Sequence, residues 1–247
     1  MQIDQKLIKD NIYRQVRRLI ITGSLVPGQR LDIEEIAAQY NSSVTPVRDA
    51  MHMLSHEGLV TIKSRAGYYV TVISLKELRD LLDLRQILEV ASAEQAAMRI
   101  TAEELELLEH VHAGFTGEDL ESVERYADEN RHFHYLVAKA SGNDELAETL
   151  GHLLDRLARF MVICGAETTM ESIHARTIAA LRTHNAQEAR RASLEETTET
   201  RESVIAAVME QQAATWHVGY QHHRSHAAVG DRRDNRQASR HAGRVTP

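Results

Sequence analysis

Leu31-Asp32-Ile33-Glu34-Glu35-Ile36-Ala37 leads through Val44-Thr45-Pro46-Val47-Arg48-Asp49-Ala50-Met51 into Leu54-Ser55-His56-Glu57-Gly58-Leu59-Val60 and Lys63-Ser64-Arg65-Ala66-Gly67-Tyr68-Tyr69-Val70. The apolar spacing across these residues predicts a short helix, a tight turn, a second helix and two short strands. Thr45 is expected to cap the second helix, with Pro46 in its first turn, where a missing N–H costs nothing. Arg48 then falls on that first turn, the end that meets base edges when such a helix enters a major groove. Gly58 is placed to stop the helix before Leu59-Val60-Thr61-Ile62 starts a strand. Lys63 to Gly67 becomes a hairpin tip with two basic residues and a glycine. The pattern is that of a winged helix-turn-helix.

Outward from this stretch, Leu7, Ile8, Ile12, Val16, Leu19 and Ile20 recur at helical spacing before Gly23, with Arg14, Arg17 and Arg18 mostly on the other side. Leu25-Val26-Pro27-Gly28 reads as a turn. From Leu75 the pattern changes to long amphipathic helices, expected at 75–99, 102–113, 118–141, 143–164, 167–184 and 186–212. Thr101, Gly114, Gly117, Ser141-Gly142-Asn143, Gly165 and His184-Asn185 punctuate them. Six antiparallel helices with short turns imply one bundle. After Trp216 the apolar periodicity disappears, and the His- and Arg-rich tail, 217–247, is expected to be disordered. The expected organisation is therefore a DNA-binding domain at 1–72, a helical domain at 73–216 and a basic tail.

Charge follows the same division. The net −7 of the 247 residues conceals three unlike parts. Residues 1–72 hold 9 Lys+Arg against 7 Asp+Glu, a net +2, while residues 73–216 hold 14 against 27, a net −13. The tail holds 6 against 2, a net +4. Phosphate would repel the acidic middle and tolerate the N-terminal part. A single cysteine, Cys164, excludes an intramolecular disulfide framework and suits a reducing cytoplasm. No run nears the roughly 18 apolar residues of a membrane span, and no secretory signal is visible at Met-Gln-Ile-Asp-Gln-Lys. A cytoplasmic protein with no membrane partner is expected.

Tyr13 to Val70 resembles the DNA-binding domain of the GntR superfamily. The carriers are Ile20-Ile21-Thr22-Gly23-Ser24-Leu25-Val26-Pro27-Gly28-Gln29-Arg30-Leu31, Thr45-Pro46-Val47-Arg48-Asp49-Ala50, Glu57-Gly58-Leu59-Val60 and Gly67. The helical body resembles the ligand-binding FCD domain of the FadR subfamily. Its carriers are Leu84-Arg85-Gln86-Ile87-Leu88-Glu89, Phe133-His134-Tyr135-Leu136 and Ala140-Ser141-Gly142-Asn143. The resemblance implies a homodimer on a short palindromic operator, with a small carboxylate effector altering DNA affinity.

It also implies DNA contacts at Arg30, Arg48 and the wing tip from Arg65 to Gly67. Arg48 can donate two hydrogen bonds to guanine O6 and N7. Ser43 and Thr45 can donate to phosphate at the helix N-terminus. The family usually carries arginine between this Ser and Thr, and Val44 stands there instead. Valine cannot donate to guanine, although its methyls can meet a thymine methyl, so an altered sequence preference is expected.

In the body, many FCD domains hold a divalent metal with an Asp or Asn, a His four residues later and two further His on later helices. Asn130, His134 and His174 match the first three positions; the fourth, 22 residues on, is Glu196. Glutamate supplies an oxygen in place of a nitrogen, shifting preference toward harder or borderline ions, with Zn²⁺, Ni²⁺ and Mn²⁺ as the candidates. The alternative is an incomplete site. Arg85 either pairs with an effector carboxylate through its planar fork or forms an intrahelical ion pair with Glu89. His132 and His184 are expected at the surface, and Cys164 as a small buried apolar residue.

A transcription regulator, with repression the expected sign, absorbs all these features. A metal-dependent enzyme acting on a small acid is the first alternative. No base–nucleophile pair, phosphate-cradling glycine loop or His-Glu-x-x-His run supports it. The second is a DNA-binding protein with no effector.

Overall fold

The computed structural model describes residues 2–111, 120–163 and 170–227. Gly114, Gly117, Cys164 and Gly165 lie outside them. The chain opens with α1 (Gln2–Ile21), ended by Gly23 at φ 80°, and turns through Gly28 at φ 81° into β1 (Arg30–Leu31). Asp32 accepts hydrogen bonds from Glu34 N and Glu35 N (3.0 and 3.1 Å) and so starts α2 (Ile33–Gln39). The second helix of the motif, α3 (Val44–His56), is followed by β2 (Val60–Lys63) and β3 (Gly67–Val70).

The winged helix-turn-helix is present, with two corrections. Ser43, not Thr45, occupies the cap position of α3, and no side chain caps it. Thr45 and Pro46 both sit inside the first turn, where proline's missing N–H is still harmless. The second correction is a third strand. The sheet runs β1-β3-β2, all antiparallel, with Arg30 opposite Tyr69 and Lys63 opposite Gly67. Ile12, Val16 and Ile20 from α1 pack with Val47, Met51 and Leu54 from α3 in the core beneath it.

Position 58, just past the end of α3, calls for glycine for two reasons. Its φ is +75°, and a Cβ there would stand 2.8 Å from Cγ of Arg156, which reaches over from the helical body.

That body contains α4 (Leu75–Ala97), α5 (Ala102–His110), α6 (Leu120–Ala140), α7 (Asp144–Ile163), α8 (Met170–Arg182) and α9 (Ala186–Ala227). Side-chain caps explain where α4, α5, α7 and α9 begin. Ser74 caps α4, Thr101 and Glu104 form a reciprocal capping box on α5, and Asn143 and Asn185 accept from Leu146 N and Glu188 N. The core holds Phe133, Val137, Leu108, Leu181 and small alanines such as Ala96 and Ala180. Helix α9 continues to Ala227, well past the expected 212. Loss of apolar periodicity reports loss of a buried face, whereas the backbone ladder needs only residues that do not break it. Residues 228–247 of the tail lie outside the described residues.

Residues up to Ile205 form one compact unit and those from Ala206 a second; the sites below all lie in the first. No helix among the described residues is long and apolar enough to cross a membrane.

One expected surface residue is buried. Arg14 is exposed, but Arg17 is only 7% exposed, because it follows Tyr13 by one turn and faces acids from α3 and α6.

Candidate functional site

Two constellations stand out, one exposed and one buried. On the winged domain, α3 leaves Ser43, Thr45 and Arg48 exposed at its N-terminal end, while Val44 is half-buried against the domain core. Val44 is thus partly a packing residue. Arg30 is exposed on β1, and Gly67, at φ +110°, lies close enough that a Cβ there would meet Arg30 Nε at 3.7 Å. His52, one turn beyond Arg48, meets the Tyr68 ring of β3 edge-on at 6.3 Å, so the exposed side of α3 and the sheet adjoin.

Arg65 is exposed at the wing tip in a left-handed backbone conformation (φ 62°). Neither Arg48 nor Arg65 enters an ion pair among the described residues. Lys63 instead lies 4.5 Å over the ring of Tyr69.

The buried constellation belongs to α4, α6, α8 and α9. One turn of α6 carries Asn130 and His134, 7% and 5% exposed. Glu196 Oε1 from α9 lies 3.3 Å from His134 Nε2 and 3.2 Å from Nε2 of the fully buried His174 of α8. Phe133 stacks flat on the His174 ring at 3.8 Å, fixing its plane. Across the pocket, Arg85 of α4 binds Glu89 through Nε at 2.7 Å, so the intrahelical ion pair is formed. Its Nη2 also lies 3.1 Å from His134 Nε2, and its Nη1 3.1 Å from the sulfur of Met161. Glu89 in turn stands 3.3 Å from His134 Nδ1.

In the sequence Glu89 stands out only as a partner of Arg85, four residues away. Its spacing from Arg85 was visible, but its second role, orienting His134, requires α4 and α6 to be packed together. His132 and His184 are exposed, as expected.

The electrostatics suit a metal. Burial opposes ionisation of Glu196, but His174 and His134 beside it prevail and hold its carboxyl far below the ordinary range. Burial keeps the His174 imidazole below its usual value. An ionised carboxylate and a neutral imidazole are the forms that bind metal. Two donors each about 2.1 Å from a tetrahedral ion stand roughly 3.4 Å apart, close to the 3.2 and 3.3 Å found here. The three donors lie within 4.8 Å of one another. The adjoining cavity is about 10 Å³, room for an ion or at most one water. The residues present therefore fit a single divalent ion.

The order of the two constellations along the chain matches known protein families. Residues 8–70 match the family described as bacterial regulatory proteins, gntR family, and residues 80–198 match the FCD domain. The Nta operon transcriptional regulator of Aminobacter aminovorans is 33% identical over 135 residues, 53% of this chain and 62% of that one. The chain thus spans less than two thirds of that relative's length. The HTH-type transcriptional repressor GlaR of Escherichia coli K12 is 30% identical over 156 residues, 61% of this chain and 71% of that one. Among solved structures, E. coli McbR/YncC superposes with a TM-score of 0.62 at 22% identity, covering 83% of this chain and 98% of that one. At that identity the likeness shows the fold.

Proposed function

The chain belongs to the gntR family of bacterial regulatory proteins and carries an FCD domain, and from that we propose that it is a cytoplasmic transcription repressor that binds a palindromic operator as a homodimer. Its DNA affinity would be set by a small organic-acid or sugar-acid effector. The observation carrying this reading is the convergence of His134, His174 and Glu196 inside a body joined to a winged helix whose Arg48 and Arg65 have no ion-pair partner among the described residues.

On the DNA side, Arg48 reads bases, Ser43 and Thr45 hold phosphate, and Arg30, Arg65 and the glycine-opened turn at Gly67 meet the adjoining groove. On the sensor side, His134, His174 and Glu196, with Asn130 one turn away on α6, would hold a divalent ion. Such an ion supplies positive charge with positions left over for a carboxylate. Glu89 orients His134, and Phe133 fixes the plane of His174. Arg85 is held by Glu89 through Nε and, more weakly at 3.4 Å, through Nη2, which also faces His134 Nε2 and there can meet an anion beside the imidazole. A cavity of about 10 Å³ cannot admit an organic acid as it stands. Effector entry therefore requires the surrounding helices to separate, and that movement is what couples binding to DNA affinity through the effector's differential affinity for two states.

A second reading has its own support. The Arg85 guanidinium, 3.1 Å from His134 Nε2, already brings positive charge to the donor cluster. On this reading the centre is metal-free and the protein binds DNA without responding to an ion.

One experiment separates the two. Full-length protein is used to select duplexes from a random pool, and Zn²⁺, Ni²⁺ and Mn²⁺ are titrated calorimetrically into wild type and His134→Ala. Enrichment of a palindrome and one ion per chain, lost in the variant, is expected. No enrichment sinks the regulator reading, and no heat with any ion leaves the metal-free centre.

A further inference from the structure

Between the winged domain and the body lies a network of charges, centred on one buried arginine, that neither DNA contact nor metal binding uses. At its middle is Arg17 of α1, with a side chain 8% exposed. Its Nη2 binds Asp128 Oδ1 of α6 at 2.8 Å, and its Nε faces Glu57 Oε2 at the end of α3 at 3.5 Å. Nη1 is 4.0 Å from Glu124 of α6, which also accepts from Arg18 Nε at 2.5 Å. One turn before Arg17, the Tyr13 hydroxyl donates to the other oxygen of Glu57.

The sharing is unequal. Asp128 is at full hydrogen-bonding distance, while Glu57 has only a longer ionic contact, and its Oε2 accepts no hydrogen bond. Glu57 is also poorly placed. It caps the C-terminal end of α3, where the helix dipole disfavours negative charge. Burial then pushes its carboxyl above the ordinary range against the pull of Tyr13 and Arg17. The last turn of the DNA-reading helix thus carries a carboxylate whose main counter-ion is engaged elsewhere.

Where Arg17 is engaged matters. Asp128 precedes Asn130 by two residues and His134 by six on the unbroken helix α6. Six residues of helix span about 9 Å, so any shift of α6 at the His134 pocket reaches Asp128 as a displacement of the same rod. We propose that Arg17 is a shared counter-ion for which Asp128 on α6 and Glu57 on the recognition helix compete, so that displacement of α6 sets how firmly the end of that helix is held. When α6 draws away, Arg17 is released to Glu57 and the last turn of α3 tightens; when α6 closes, that turn loosens. The geometry of this device stands independently of the regulator reading; only its consequence for DNA binding rests on that reading.

The competition makes a signed prediction. Asp128 is half exposed, so Asp128→Asn removes its charge without disturbing the core. Full-length protein is followed by hydrogen–deuterium exchange at the amides of Glu57, Gly58 and Leu59, which close the end of α3. Asp128→Asn is expected to slow their exchange by roughly three- to tenfold. A merely structural strut would instead be weakened, and exchange would quicken. Unchanged or faster exchange overturns the proposal.

Asp144→Asn, which removes a charge from the exposed Lys139 pair, is expected to leave these amides unaffected. In the Glu57→Gln background the effect of Asp128→Asn should vanish, since nothing remains to receive Arg17; persistence there also overturns it. Failure of the wild type to select any duplex would sink the regulator reading while leaving this exchange result to stand by itself.

Discussion

The DNA-facing arginines and the arginine of the sensor pocket make opposite uses of one side chain. Arg48 and Arg65 are exposed and hold no ion-pair partner among the described residues. Arg85 is 2% exposed and surrounded: Glu89, His134 and Met161 all meet its guanidinium. An exposed, unpaired arginine costs little in stability and is ready for a multiply charged partner. A buried one must have its charge compensated within the fold, so it belongs to the structure before it can belong to a ligand. Position in the molecule therefore determines whether removing an arginine damages binding or folding.

The sharpest way to break this contrast is Arg85→Ala. It leaves Glu89 buried beside His134 without its cation, an arrangement expected to cost about 3–5 kcal/mol. Urea unfolding at neutral pH checks this. A loss under 1 kcal/mol would mean that the pocket admits solvent and that its pairing is incidental.

Arg48→Ala is the mirror experiment. Stability should stay within about 0.5 kcal/mol of wild type, while affinity for the selected duplex falls by roughly 1–3 kcal/mol, about 5- to 150-fold. Fluorescence anisotropy also distinguishes the type of contact. Equal losses on selected and scrambled duplexes would reassign Arg48 from bases to phosphate.

Within the pocket, Glu196→Gln asks whether the oxygen in the fourth position is a ligand. The swap keeps the volume and one acceptor but removes the charge. Affinity for Zn²⁺ or Mn²⁺ should fall by at least about tenfold if the carboxylate binds the ion. Isothermal titration with unchanged affinity would confine Glu196 to hydrogen bonding with the two imidazoles.

How much of this was legible depended on how local each feature is. The winged fold was readable because Pro46, Gly58 and the alternating strands act within a few residues of themselves. The helices starting at Ala102, Asp144 and Ala186 were readable because Thr101, Asn143 and Asn185 are local caps. Strand β1 was not, since two residues have no periodicity and exist as a strand only by pairing with β3, nearly forty positions on.

The same limit applies to the pocket. Asn130 and His134 share a helix face by spacing alone, but His174 and Glu196 were joined to them only through family resemblance. Arg17 is the instructive miss. It follows Tyr13 by four and Val16 by one, so it borders the buried stripe of α1. Its charge argued for solvent, and only the acids of α3 and α6 make its burial tolerable.

The finest test of the contrast is at the wing tip, where an exposed arginine also carries a backbone cost. Arg65 holds φ 62°, a conformation natural to glycine and unfavourable for a side chain with a Cβ. The turn is closed by Ala66 N donating to Lys63 O at 3.0 Å, so the strain lies in the hairpin itself. Arg65→Gly relieves that strain but frees the unfolded chain, and the two effects oppose each other. The expected net is small, between no change and a gain of about 1 kcal/mol in unfolding free energy. Affinity for DNA should move the other way. If Arg65 meets a phosphate, the slope of log affinity against log salt becomes shallower by about one, whichever duplex is used. A stabilised variant with a shallower slope would show an arginine kept at a strained position for its partner. An unchanged slope would leave the strain without a DNA-binding explanation and remove Arg65 from the contact surface.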